Sequence, residues 1–147
     1  MFPLPDAVSF EAGAGILFND LTVQFALRTR GRLAEGETVL VHGAAGGIGT
    51  SALRLAPAMG AARTIAVVST EEKAEIARAN GAAHVFGYED FAERVHEICV
   101  HPDGTTGADV ILDIIGAKYL ERNIKALNTD GRLVIIGMQG GTKTEIN

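Results

Sequence analysis

The chain has 147 residues, of which 47% are hydrophobic but only 5% aromatic, with 18 Gly and no Trp, a mixture suited to one α/β core rather than an aromatic-rich β-sandwich. A net charge of -5 argues against a nucleic-acid partner, which needs a surplus of Lys and Arg on one face. The lone Cys99 cannot form an internal disulfide, and no apolar run approaches the ~18 residues that cross a bilayer or resembles a secretory leader, so a cytoplasmic setting away from membranes is expected.

The Pro-punctuated opening MFPLPD predicts extended chain, and Ser9 predicts an N-cap for a short helical turn through Glu11 and Ala12. Asn19 or Asp20 is expected to cap a second helix that carries Leu21, Phe25 and Leu27 and ends in the basic stretch Arg28 to Arg32, where cations suit the negative end of the dipole. After a turn at Ala34 to Glu37, Thr38 to His42 reads as a short strand buried on both faces. Helix and strand then alternate: helix Gly47 to Met59, strand Thr64 to Ser69, helix Glu71 to Asn80, strand His84 to Phe86, helix Glu89 to Cys99. They are followed by strand Ala108 to Ile114, helix Lys118 to Leu127 and strand Leu133 to Met138, with loops at Gly104 to Gly107 and Gly140 to Thr144. Strands separated by helices pair in parallel through crossovers, so the expected fold is a doubly wound α/β sheet, a Rossmann fold, of five strands in the order 3-2-1-4-5. Residues 1–36 read as a lead-in with a helix and 37–147 as the dinucleotide-binding unit of a single domain.

One motif points to a ligand. Ala44-Ala45-Gly46-Gly47-Ile48-Gly49 fits G-x-G-x-x-G with Ala in the first place, directly after a strand and opening a helix. Gly46 lets a pyrophosphate approach the backbone, Gly49 lets the helix pack on the strand, and free N–H groups at the helix start face the anion. No Walker-type G-x-x-x-x-G-K-[ST] is present. At the end of the next strand, where binders of NAD or S-adenosylmethionine place an acid on the ribose, stand Val68, Ser69 and Thr70. Hydroxyls in that place, with Lys73 one turn on, read as a seat for the 2′-phosphate of NADP. The plainer alternative is that Thr70 caps the next helix and Lys73 is a solvated surface lysine. Glu71 and Glu72 oppose a bound phosphate unless they point away.

Taken together, GETVLVHGAAGGIGTSALRLA, STEEKAEIARANGAAHVFGYEDF, GADVILDIIG and DGRLVIIGMQGG resemble, in that order, the cofactor domain of the zeta-crystallin-like quinone oxidoreductases, zinc-free members of the medium-chain dehydrogenase/reductase superfamily. The resemblance implies NADPH as cofactor, with Ala45, Gly46, Gly47 and Ile48 at the pyrophosphate and Ser69, Thr70, Lys73 and Tyr88 around the 2′-phosphate. It also implies Thr22 near the nicotinamide, from the family's L-T-x-x-x-A-L helix, and Ile136, Gly137 and Met138 beneath the nicotinamide ribose. In the family a β-rich domain completes the substrate cleft and a sixth strand often joins two subunits. The stretch at hand is therefore expected to bind NADPH without turnover, the acceptor in the whole enzyme being a quinone or an enone, and a homodimer is a possible assembly. Departures from the family are Ile114 and Met138, where relatives often carry small or polar residues, and Pro57, which should kink the first helix of the motif or end it early.

His96, Cys99 and His101 lack a fourth ligand and paired spacing, so no metal site is expected, and Cys99 reads as a helix residue packed on the sheet. Asp113 reads as an acceptor of backbone hydrogen bonds beside the cleft. No residue reads as a catalytic acid, base or nucleophile. Two other functions share part of the pattern: a non-catalytic dinucleotide-sensing or interaction module, and a methyltransferase using S-adenosylmethionine, which would want an acid near Val68.

Overall fold

The computed structural model describes residues 3–146, so Met1 and Phe2 of the predicted extended opening, and Asn147, lie outside the described residues. Five parallel strands form one sheet in the order β3-β2-β1-β4-β5, as the sequence predicts. They are β1 (Thr38–His42), β2 (Arg63–Val67), β3 (His84–Phe86), β4 (Ala108–Asp113) and β5 (Leu127–Ile135). Between them run α3 (Gly47–Ala58), α4 (Glu71–Ala79), α5 (Phe91–Ile98) and, after a 3-10 turn at Ala117–Tyr119, α6 (Leu120–Ala126). Among the described residues no helix is long and apolar enough to cross a membrane.

The central strands are apolar on both faces because helices cover both. Val39 and Val41 of β1 face Ala52, Leu53 and Ala56 of α3, while Leu40, Ile65 and Val67 face Phe91 and Val95 of α5 and Ala126 of α6. Fully burying Phe91 or Leu53 contributes about 1.5–3 kcal/mol each, which is why the hydrophobic alternation locates these elements well.

The lead-in departs from expectation. Ser9 caps α1 (Phe10–Gly15) by accepting the Ala12 N–H at 3.2 Å, as predicted. No second cap follows: helical backbone continues through a π-type turn at Ile16–Asp20, α2 (Leu21–Gln24) and a second π-type turn at Phe25–Arg30. Asp20 has helical dihedrals and caps nothing; its carboxylate accepts from the Ser51 hydroxyl on α3 instead, clamping the lead-in to the sheet's helical layer. A polar side chain that reads locally as a cap is committed to a partner far along the chain.

The fifth strand is also shifted. It starts at Leu127 rather than Leu133, because Leu127 pairs with Ala108 before an irregularity in which Asp130 takes a φ of 60°. It ends at Ile135 rather than Met138 because the chain leaves the ladder to follow β4's exit, with the Gln139 and Gly140 N–H groups donating to the Ile114 and Ile115 carbonyls at 3.3 and 2.6 Å. Pro57 sits in the last turn of α3, which ends one residue later and closes through Gly60 at a φ of 103°. Arg132 of β5 ties the bottom of the molecule together, donating to the Glu37 carboxylate at 2.9 and 2.6 Å and to the Gly31 carbonyl at 2.7 Å.

Candidate functional site

The strand order reverses between β1 and β4, and the loops leaving the strands' carboxyl ends open a crevice there. On the β1 side, the turn Gly43 to Gly46 leads into α3, whose start at Gly46 has no side-chain cap. The first bond of the helix runs from the Thr50 N–H to the Gly46 carbonyl at 2.8 Å, so the amides of Gly47, Ile48 and Gly49 precede the helical ladder. Such amides, at the positive end of the dipole, favour an anion. Gly49 is what brings the helix so close: a Cβ there would sit 2.5 Å from the Gly43 carbonyl oxygen and overlap Ala44 Cα.

Beyond the turn lies a cleft of about 440 Å³ bordered by Ala45, Gly46, Ser69, Glu72, Lys73 and Tyr88, among others. It shares Gly43, Ser69, Lys73, Tyr88, Ile114 and Gln139 with an adjoining hollow of about 360 Å³ that runs on to Lys118, Tyr119 and Gly140. The Lys73 ammonium donates to the Ser69 hydroxyl at 3.1 Å, which holds a cation at the end of β2. Thr70 accepts the Lys73 N–H at 3.3 Å and so caps α4, the plainer of its two readings, while its own O–H is left to donate. Glu71 pairs with Arg78 at 2.6 Å, and the two border a smaller hollow of about 250 Å³ with Ser69 and Thr70; Glu72 borders the cleft with Lys73.

Tyr88 accepts the Gly43 N–H at 3.0 Å and stacks on Tyr119 at 4.7 Å between centroids, so the two walls of the cleft touch at their base. Burial raises the Tyr88 hydroxyl's pKa, against the lowering effect of the Gly43 hydrogen bond, and keeps it protonated as a potential donor. At the far side, Asp113 accepts the N–H groups of Ile115 at 2.6 Å and Gly116 at 3.1 Å, the backbone role foreseen for it, and pins the turn after β4.

Not every predicted residue meets at this cleft. Thr22 donates its hydroxyl to the Phe18 carbonyl at 2.7 Å, within its own helix. Met138 borders a separate hollow of about 470 Å³ with Gly116 and Lys143, and Gly137 lies flush on the Ile114 backbone, where a Cβ would approach the carbonyl oxygen to 2.7 Å. Ile136 leads into this segment, its N–H donating to the Asp113 carbonyl at 2.8 Å. Gly43, Gln139 and the buried His42 are additions; only the positive φ of 60° at Gly43, the first residue after the strand, had a local signal in the glycine-rich run.

The metal ligands considered earlier have other partners. His96 holds Thr106 and the Lys125 carbonyl with its two ring nitrogens, at 2.7 and 2.6 Å, His101 binds the Gly107 carbonyl at 3.0 Å, and Cys99 is buried at the end of α5. These residues do not fit a zinc site, and among the described residues no group of three or more His, Cys, Asp or Glu side chains does.

Residues 47–147 match the family model of the zinc-binding dehydrogenases. Over 146 residues the chain is 38% identical to a quinone oxidoreductase of Pseudomonas aeruginosa, covering 98% of this chain and 43% of that protein. It is also 38% identical over 135 residues to a 2-haloacrylate reductase of Burkholderia, covering 90% of this chain and 39% of the relative. Among solved structures, the quinone oxidoreductase of Thermus thermophilus, also determined in complex with NADPH, superposes with a TM-score of 0.83 at 36% identity, covering 99% of this chain and 44% of that one. The chain thus spans less than half the length of the relatives it matches.

Proposed function

Because the chain belongs to the zinc-binding dehydrogenase family, within its quinone-oxidoreductase branch, we propose that it is the NADP(H)-binding domain of an enzyme that reduces a quinone or an activated alkene. The observation that carries the proposal is the pairing of an uncapped helix start at Gly46 with a cation, Lys73, held on Ser69 across one cleft. A dinucleotide with a 2′-phosphate needs both.

In this reading the amides of Gly47 and Ile48 hold the pyrophosphate, with Ala45 and Gly46 beside them, the Gly46 N–H closing the turn on the Gly43 carbonyl at 2.9 Å. Ser69, Thr70 and Tyr88 offer hydroxyls and Lys73 a charge to the 2′-phosphate, while Arg78 offsets the charge of Glu71 beside Ser69 and Thr70. Thr22 and the segment Ile136, Gly137 and Met138 belong to the nicotinamide end, each by its place in the family pattern. Bound there, the cofactor supplies a hydride to the acceptor, and the protein's work is binding, orientation and exclusion of water. Asp113 contributes by fixing the 115–116 turn rather than by moving a proton.

Residues 37–147 form the dinucleotide unit and residues 1–36 its lead-in. The substrate cleft of the family lies between this domain and a second one, so the 147-residue chain alone is expected to bind NADPH and not to oxidise it with a quinone. Among the described residues β5 lies at one edge of the sheet, and a homodimer of the whole enzyme, which the family pattern implies, is part of this reading. Calorimetric titration with NADPH, alongside a quinone-dependent NADPH oxidation assay, tests both halves: binding without turnover supports the proposal and failure to bind overturns it.

A further inference from the structure

Directly beneath the cleft lies a polar group that the reading above does not use. His42, the last residue of β1, is 1% exposed in a strand otherwise made of Val, Leu and Thr. Its Nε2 lies 2.6 Å from Asn123 Oδ1 on α6, and Asn123 Nδ2 donates to Asp113 Oδ2 at 3.0 Å. The direction of this chain follows from the chemistry of its ends. Asp113 already receives the N–H groups of Ile115 and Gly116 and acts as acceptor, so Asn123 must turn its amino group toward it and its carbonyl toward His42. Nε2 is then the protonated nitrogen of His42, and Nδ1 is a bare acceptor with no partner among the described residues, shut in from solvent. Burial disfavours the imidazolium, outweighing the hydrogen bond from Asn123 and the charge of Asp113, and so keeps the ring neutral.

The ring is also the base of an aromatic stack. Tyr88 and Tyr119 lie over it at 5.6 and 6.2 Å with interplanar angles of 19° and 8°, and Phe91 meets its edge at 5.0 Å. Tyr88 in turn receives the Gly43 N–H at the entrance of the glycine turn. One continuous set of contacts therefore joins the 115–116 turn, through Asp113, Asn123 and His42, to the tyrosine wall and the glycine turn.

We infer that His42 is a positioning residue for the dinucleotide: by donating Nε2–H to Asn123 it locks the floor on which the glycine turn, the tyrosine wall and the turn after β4 are held in register. This rests on the cofactor reading of the preceding section. A buried polar chain suits the task because each member is fixed by its neighbour and leaving one unpaired is costly, whereas an apolar filler would pack without setting an orientation.

The test separates donor from ring. His42→Gln keeps an N–H that reaches toward Asn123 and loses the ring; His42→Phe keeps a ring and leaves the Asn123 carbonyl unpaired; His42→Leu loses both. NADPH titration should show His42→Phe and His42→Leu weakened about tenfold and His42→Gln recovering most of the loss, tenfold being the effect of about 1.4 kcal/mol. Because the chain has two tyrosines, both in this stack, and no Trp, tyrosine emission reports on the same floor and should change on adding NADPH to the unsubstituted chain. Nitrogen NMR of the unsubstituted chain should give the Nε2–H tautomer for His42, a readout that stands even where a variant does not fold. An Nδ1–H tautomer, or His42→Phe binding as well as the unsubstituted chain, overturns the inference while leaving the cofactor reading intact. Failure of the unsubstituted chain to bind NADPH overturns that reading and this inference with it.

Discussion

Placing Ala at Gly49 should destabilise the fold, and placing Ala at Gly15 should stabilise it, though both glycines lie in helical backbone. At Gly15 a Cβ meets nothing within 4 Å, so the change gains only helix propensity, about 0.5–1 kcal/mol. At Gly49 the same atom would sit 2.5 Å from the Gly43 carbonyl oxygen and 2.6 Å from the Ala44 carbonyl carbon, and both obstacles are backbone of the glycine turn. Ordinary contact requires the start of α3 to retreat by about 1 Å, and overpacking of this kind costs about 1–3 kcal/mol or more. After subtracting the propensity gain, a net loss of about 1–2 kcal/mol is expected, or a Tm lower by roughly 3–6 °C for a domain of this size, against a rise of roughly 1–4 °C for Gly15→Ala. Urea unfolding with an unchanged m-value should give opposite shifts in midpoint for the two variants. Because the displaced atoms are those that face the pyrophosphate, Gly49→Ala should also weaken NADPH about tenfold or more. A Gly49→Ala chain as stable as the unsubstituted one would refute the close approach of helix and turn.

Four further outcomes follow from named contacts. Arg132→Ala should cost about 1–3 kcal/mol in urea unfolding, since it cuts the two-pronged contact with Glu37 and frees the Gly31 carbonyl. Burial alone would raise the Glu37 carboxyl, but the hydrogen bonds from Arg132 and Ala34 outweigh it and hold its pKa below the ordinary carboxylate value. Its stabilisation is therefore fully present above the unfolded-state pKa and lost as the pH falls through the folded one, and Glu37→Gln should flatten the acid limb of the stability profile. Asp113→Ala should cost about 3 kcal/mol by thermal unfolding, because the Ile115 and Gly116 amides and the Asn123 side chain all lose their acceptor. Glu72→Gln should tighten NADPH by about three- to tenfold in calorimetry and NADH by less, since the carboxylate borders the same cleft as Lys73 and repels a 2′-phosphate.

Much of the fold was legible because local signals and tertiary packing agree. Thr38–His42 and His84–Phe86 are short apolar runs bounded by turns, and Thr70 before two acids marks a helix start, so these elements fall where the pattern puts them. The glycine turn was legible for the same reason: its residues answer a demand made within a few positions of themselves. What escaped is what long-range partners decide. Asp20 looked like a cap because a cap is the commonest local use of Asp, yet its partner Ser51 is 31 positions on. The early start of β5 depends on Ala108 pairing with Leu127, and Asn128 answers Asp109 at 3.0 Å, neither of which the run Leu127 to Gly131 announces by periodicity. His42 carries no local signal at the end of an apolar strand, since Asn123, Asp113 and the two tyrosines that give it meaning are supplied by three other segments. At the site itself, the Lys73–Ser69 contact lies within one turn of the chain, whereas the pairing of Glu71 with Arg78 is set by a partner two turns along α4.

An uncapped helix start and a lysine held across one cleft should select a dinucleotide bearing a 2′-phosphate. Side-by-side calorimetric titration of the chain and of Lys73→Ala with NADPH and NADH tests it most directly. NADPH should bind more tightly than NADH, with most of that difference lost in Lys73→Ala while NADH is little changed. Equal affinities for the two, unaltered by the substitution, would contradict it.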